Sequence, residues 1–305
     1  LQHIVAGVAA GAPAGAVATC AGQATVDPAQ PEPWPTNCDA TYQVLAHATS
    51  GESAAFLVPA GQEIHPKIAV QAPWGSEAMQ GIAFRPITNN AKVLHHWILY
   101  GPQKEFLVGW APGKDNTPLP ADVGMNLSGG ALTLDMHYNN LPGTVEESDQ
   151  SGVEICALTK EHFRKYTASV HMGFTQLLFS IPARATDYEV KGQCTVTSAT
   201  PVTLISASPH AHTLATHMRF EVQKSGGERI MMHDADFRFE EQQSYALATP
   251  VVLEKGDTVF TTCTYTNTSA RAVTFGEDTG NEMCFNFASY YPMGGLKCGL
   301  QYGSR

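Results

Sequence analysis

The sequence predicts an all-β protein built as two sandwich or jelly-roll domains, and three observations lead there. No segment sustains a helical period of apolar residues over a dozen positions. Short apolar or alternating runs recur instead, separated by Gly, Pro, Asn and Asp pairs. Midway lies a polar, acidic, turn-forming stretch, residues 139–151 (NNLPGTVEESDQS), the natural place to divide the chain. At 305 residues there is enough chain for two cores.

Taken in order, residues 1–22 are rich in Ala, Gly and Val and carry no charge. They resemble an export-signal remnant, with a lipid anchor at Cys20 as a variant of that reading, although a flexible linker is the simpler one. Pro13 and the glycines argue against a membrane-spanning helix. Prolines 28, 31, 33 and 35 then extend the chain, so residues 1–36 are expected to be linker. The expected strands of a first domain, 37–147, are runs 55–58, 67–71, 93–100 and 132–138. Those of a second, 148–305, are 152–158, 203–207, 217–222 and 259–265.

Composition narrows the function. Hydrophobic residues make up 43% and charged residues 15%, as in a compact sheet protein rather than a disordered one. With 18 Lys+Arg against 28 Asp+Glu the net charge is −10, which excludes an electrostatic grip on nucleic acid or anionic membrane. Seven cysteines, widely spaced and without a CxxC pair, read as disulfides made outside the cytoplasm in a secreted, periplasmic or surface-anchored protein.

Two histidine constellations carry chemistry. LHHWILYG sets His95 beside His96, and LDMHYNN contains His137. Adjacent strand residues face opposite ways, so His95 and His96 can share one metal only where the strand twists or bulges. SPHAHT is easier: His210 and His212, two apart on a strand, face one side. In NEMCFNFASYYP, Met283 adds a thioether, a poor ligand for zinc and a good one for Cu(I), so a His/His/Met set points to copper. Buried structural histidines and a core methionine are the plainer readings of each motif taken singly.

Together, LHHWILYG, LDMHYNN, SPHAHT and NEMCFNFASYYP resemble the four copper signatures of the ascorbate-dependent type II copper monooxygenases. The resemblance covers about residues 38–300 and implies two tandem jelly-roll-like domains, each with one copper, facing across a solvent-filled cleft. It implies that His95, His96 and His137 hold the electron-transfer copper, and that His210, His212 and Met283 form the catalytic copper site for O2 and a small organic substrate. Ascorbate or another one-electron reductant would be co-substrate. Disulfides Cys194–Cys298 and Cys263–Cys284 are implied too, leaving Cys20, Cys38 and Cys156 unassigned, with Cys20–Cys38 one pairing left open.

Departures bear on the substrate. The peptide-amidating branch carries arginine and tyrosine where this chain has Ser208 and Phe287, which argues against peptide amidation. EMCFNFxxYYP is nearer the dopamine β-monooxygenase branch, but that branch's extra first-domain cysteines are absent, so a catecholamine substrate does not follow. Asn286, Phe287, Tyr290 and Tyr291 are candidates to line the pocket, though strand alternation keeps all four from facing it. His3 lies in the linker, and His47, His65, His162 and His233 are read as surface or core residues. His217 falls on the far face from His212, and His171 is a lesser candidate for the cleft. A non-catalytic copper carrier is the main rival; a zinc hydrolase ranks below it, since HExxH is missing.

Overall fold

The computed structural model describes residues 34–171 and 175–302 and consists almost entirely of β-strands joined by turns. Each of the eight expected runs coincides with a strand, those at 55–58 and 93–100 beginning one residue ahead of Phe56–Val58 and Leu94–Tyr100. Their burial alternates as a half-buried sheet requires: in Lys67–Gln71, Ile68 and Val70 point inward while Lys67, Ala69 and Gln71 face water. The expected linker lies outside the described residues except for 34–36, as does Cys20. Among the described residues no helix is long and apolar enough to cross a membrane.

Each half is a sandwich. In the first, a sheet of Glu63–Ile64, Ala131–Asn139, Leu94–Tyr100 and Phe106–Trp110, with Lys67–Gln71 also on Ala131–Asn139, supplies Trp97, Leu99, Leu132 and Leu134 to the core. In the second, Arg229–Asp236, Ala215–Gln223, Thr258–Tyr265, Tyr188–Val196 and Cys298–Tyr302 supply Phe220, Val222, Val259 and Tyr265. The facing layer of both sandwiches is one nine-stranded sheet. Its order is Ala40–Leu45, Gly152–Leu158, Met79–Ile87, Val123–Leu127, Tyr166–His171, Phe285–Tyr291, Val202–His210 and Tyr245–Leu253, with Thr117–Pro118 on Met79–Ile87. The two halves join where Tyr166, Thr167 and Ala168 run parallel to Val123, Gly124 and Met125.

Strand pairing bears on where the halves divide. Gly152–Leu158 lies between Ala40–Leu45 and Met79–Ile87, and its Val153, Ile155 and Ala157 pack into the first core. The boundary is therefore better proposed after Leu158 than at 147. The polar stretch before this strand is tied down by Asp149, which is fully buried. Its carboxylate accepts from Tyr138 Oη–H (2.8 Å), Asn90 N–H (3.0 Å), Ser151 N–H (2.9 Å) and Ser151 Oγ–H (2.6 Å). A polar, turn-forming stretch that reads as a boundary is thus a clamp on the first sandwich.

Three disulfides close the fold. Cys38–Cys156 pins the chain entrance to strand Gly152–Leu158, which rules out Cys20–Cys38; Cys194–Cys298 and Cys263–Cys284 are the two pairs the resemblance implies. Asp149→Ala should destabilise the protein by about 3 kcal/mol, because four donors, three of them in buried hydrogen bonds, lose their acceptor at once. Urea unfolding measures this, and a loss under about 1 kcal/mol would show that the donors find other partners.

Candidate metal centre

His95 and His96 sit side by side on Leu94–Tyr100, and the ladder shows how both reach one point. His137 pairs with His96, yet Tyr138, the next residue, pairs with Leu94. His95 is therefore the extra residue of a β-bulge, which turns its ring to the same side as its neighbour's. The His95 and His96 rings lie 4.2 and 4.7 Å from that of His137, centroid to centroid. One ring nitrogen from each of the three falls within 4.8 Å of the others, the spacing of a common ligand sphere.

The second set is built differently from the expectation. Strand Val202–His210 ends at His210, and His212 lies beyond it, just before the turn at residues 213–214. What aims His212 is a carboxylate rather than strand alternation. Glu282, fully buried, accepts from His212 N–H (2.9 Å), Leu214 N–H (2.6 Å) and Met283 N–H (3.2 Å), so one side chain sets both the turn and the methionine. Burial pushes its carboxyl up to about 7 even against these three donors. Tyr265 Oη–H donates to the Met283 carbonyl (2.6 Å), holding the methionine backbone from its other side.

Hydrogen bonds assign the tautomers. His210 Nδ1 meets Gln242 Oε1 (2.8 Å) and His212 Nδ1 meets the Asn281 carbonyl (3.0 Å). Carbonyl oxygens only accept, so both Nδ1 atoms carry hydrogen and both Nε2 lone pairs are left over. His137 is the reverse: Nε2–H donates to Glu63 Oε1 (2.7 Å), leaving Nδ1. His95 Nε2, His137 Nδ1 and His212 Nε2 are buried with no hydrogen-bond partner. Three orphaned imidazole nitrogens need an explanation, and a bound cation is the natural one.

Electrostatics agree. Burial, and then repulsion from His137, His212 and His210, holds His95 near 3; burial and the neighbouring rings put His137 near 4, His210 near 3 and His96 well below its usual range. All are neutral at physiological pH, the form that binds metals. Glu63 is the local anion: burial opposes its charge, but donation from Thr279 N–H (2.9 Å) and Oγ1–H (2.5 Å), and from His137, brings it down to about 2.

The two sets are in contact. His95 lies 5.8 Å from His212 and His96 lies 5.7 Å from His210, ring to ring, in place of the open cleft the resemblance implies. Beside them is a cavity of about 230 Å³ that His96, His137, His210 and Met283 line. Strand Phe285–Tyr291 presents Phe285, Phe287 and Ser289 to it, while Asn286 turns away, its Oδ1 accepting from Ser208 N–H (3.1 Å). Tyr290 packs in the second core and Tyr291 stacks on Tyr166, so of the four named candidates only Phe287 lines the cavity.

His217 pairs with Asp234 (2.6 Å) and Asp236 (3.2 Å), away from the cluster, and His171 contacts the Cys298 sulfur. His65, which the sequence marks only as a surface or core residue, belongs to the cluster. Its ring stacks on His137 at 4.1 Å and reaches Asp278 at 3.2 Å. Glu63 and His65, two apart, both reach His137, one by hydrogen bond and one by stacking, and the EIHP stretch could have signalled them. Gln242 and Glu282 had no such signal. In the metal-free protein, nitrogen-15 NMR should find Nδ1–H tautomers at His210 and His212 and the Nε2–H tautomer at His137; any reversal would contradict this assignment.

Comparison with known proteins gives a consistent picture. Residues 167–304 match the profile of the copper type II ascorbate-dependent monooxygenase, C-terminal domain. DBH-like monooxygenase protein 2 of Mus musculus is 26% identical over 281 residues, covering 78% of this chain and 44% of that protein. DBH-like monooxygenase protein 1 of Gallus gallus (26%; 61% and 33%) and dopamine beta-hydroxylase of Canis lupus familiaris (26%; 62% and 32%) are also similar. The chain thus spans a third to under half the length of these relatives. A glycosylasparaginase from Flavobacterium meningosepticum, PNGase F, aligns at a TM-score of 0.39 and 9% identity over 83% of this chain and 95% of that one, too distant to bear on function.

Proposed function

Residues 167–304 of this chain belong to the copper type II ascorbate-dependent monooxygenase family, and from that premise we propose that the protein is a copper monooxygenase hydroxylating a C–H bond of a small organic substrate. In this reading His95, His96 and His137 hold one copper, and His210, His212 and Met283 hold another. The observation that carries it is the burial of neutral imidazoles with unpartnered nitrogens beside a cavity that Met283 also lines. When bound, the coppers would supply dioxygen activation and one-electron transfer, with ascorbate or a similar reductant as the electron source.

The chain's own residues do the rest. Gln242 and the Asn281 carbonyl keep the Nδ1 protons of His210 and His212, so each ring offers Nε2. Glu63 does the same for His137 through Nε2, and its charge offsets part of that of a bound cation. Phe106, Phe285 and Phe287 give the cavity an apolar, aromatic wall that keeps water from the reacting carbon. This cavity favours an enzyme over a carrier, which needs no room for a second molecule. The three disulfides suit a protein matured in an oxidising, extracytoplasmic compartment.

The test is copper stoichiometry with X-ray absorption of the reduced protein. Two coppers per chain, one with a sulfur neighbour that Met283→Ala removes, are expected; one copper, or sulfur persisting in the variant, would break the ligand assignment. Ascorbate-dependent oxygen uptake coupled to product should vanish in both Met283→Ala and His137→Ala. Two coppers without any such turnover over a broad substrate panel would make the protein a carrier. Gln242→Ala should weaken copper binding by about 10- to 100-fold in competition with a Cu(I) chelator, and unchanged affinity would remove Gln242 from that role.

A further inference from the structure

The cavity beside the histidines is mostly apolar, but one cation faces it. Lys114 sits on the turn after Phe106–Trp110, where its N–H bonds the Ala111 carbonyl (3.1 Å) and its own carbonyl accepts from Trp110 Nε1–H (3.0 Å). The turn is held against the second half: Gln242 N–H donates to the Pro112 carbonyl (2.8 Å), and Gly113, at φ +86°, lies so close to Glu240 and Glu241 that a Cβ would strike their backbone. Lys114 is thereby fixed next to Gln242, the partner of His210.

Its Nζ donates to the Gly109 carbonyl (2.6 Å), and among the described residues no carboxylate pairs with it. The other charged residues that line the cavity do not answer it. Asp135 pairs with Lys67 (3.3 Å), and Glu277 is exposed to solvent. Neither acts on the ammonium, whose affinity for its proton is lowered to about 8 by burial alone, which leaves it mostly charged at neutral pH. A half-buried ammonium on the wall of a mostly apolar cavity, with one neutral acceptor and two donors to spare, is a ready partner for an anion. Also on the cavity wall, Phe106 stacks on Phe287 (5.5 Å) and Phe287 on Phe285 (5.3 Å), a platform for a flat apolar body next to His210.

We propose that Lys114 is the anion anchor of this cavity, so that the ligand is a small aryl carboxylate whose carboxylate pairs with Nζ while its ring lies on the Phe106–Phe287–Phe285 platform. This rests on reading the cavity as the substrate site, and it makes Lys114 a specificity-determining residue supplied by the first half for chemistry at the second half's histidines.

Three probes of matched shape separate the outcomes on copper-loaded protein: 3-phenylpropionate, 3-phenylpropanol and 3-phenylpropylamine. Binding is read by calorimetry, with quenching of the tryptophans that line the cavity, Trp97 and Trp110, as a second signal. The acid should bind about tenfold or more tighter than the alcohol and the amine, as a charge-assisted contact in a dry site requires. Lys114→Met should erase that preference while leaving copper content and alcohol affinity as they were, and Lys114→Arg should keep it. Preference for the amine or for none of the three, or a Lys114→Met protein that still prefers the acid, would overturn the proposal. A two-copper protein indifferent to Lys114→Met loses the anchor alone. Acid binding through Lys114 in a protein without two coppers loses the oxygenase reading and keeps the anchor.

Discussion

Imidazoles buried against one another can coexist only if they stay neutral, and much of this structure is arranged to make that tolerable. Each ring nitrogen that carries hydrogen in the His210, His212 and His137 set has an assigned acceptor: Gln242, the Asn281 carbonyl and Glu63. Those acceptors are themselves held, Gln242 by donating to the Phe239 carbonyl (2.9 Å) and Glu63 by Thr279. The constraint propagates outward until it reaches the sandwich cores. A metal removes what remains of the cost by taking the lone pairs that nothing else reaches.

Glu63 and Gln242 also work across the halves. Glu63 is at the edge of a first-half sheet and is held by Thr279 of the second; Gln242 belongs to the second and bonds the Pro112 carbonyl of the first. The parts that set ring tautomers are therefore the parts that dock the halves, and the two histidine sets meet because their supports interlock. Electron exchange between the sets, if each holds copper, has only ring-to-ring distances of 5.7 and 5.8 Å to cross.

Much of this was legible in the sequence, for a physical reason. Period-two burial is visible in runs such as Lys67–Gln71, and the need for a bulge at His95 follows from two histidines being adjacent. Turn chemistry misled in one place, because the acidic residues of 139–151 look solvated although Asp149 is a buried acceptor for Tyr138 and for Asn90, which belongs to a different part of the chain. Strand periodicity also failed at His212, whose direction comes from Glu282 some seventy residues on rather than from its own strand. His65 and Lys114 escaped notice because single residues carry no periodicity, and their environments exist only once the halves are joined. Pairing of Cys38 with Cys156 was hidden likewise, since it depends on which strand returns to the chain's entrance.

The parallel pairing of Tyr166–Ala168 with Val123–Met125 makes one sheet of what the sequence divides in two. A hinge needs a seam free of backbone ladder, and here the ladder crosses the seam itself. The halves cannot swing apart as rigid shells without breaking main-chain bonds in the layer that backs both cores. Traffic to the buried histidines must then pass through movements of turns, such as the one bearing Lys114, and the distance between the two histidine sets is gauged by a continuous β-sheet rather than by a flexible joint.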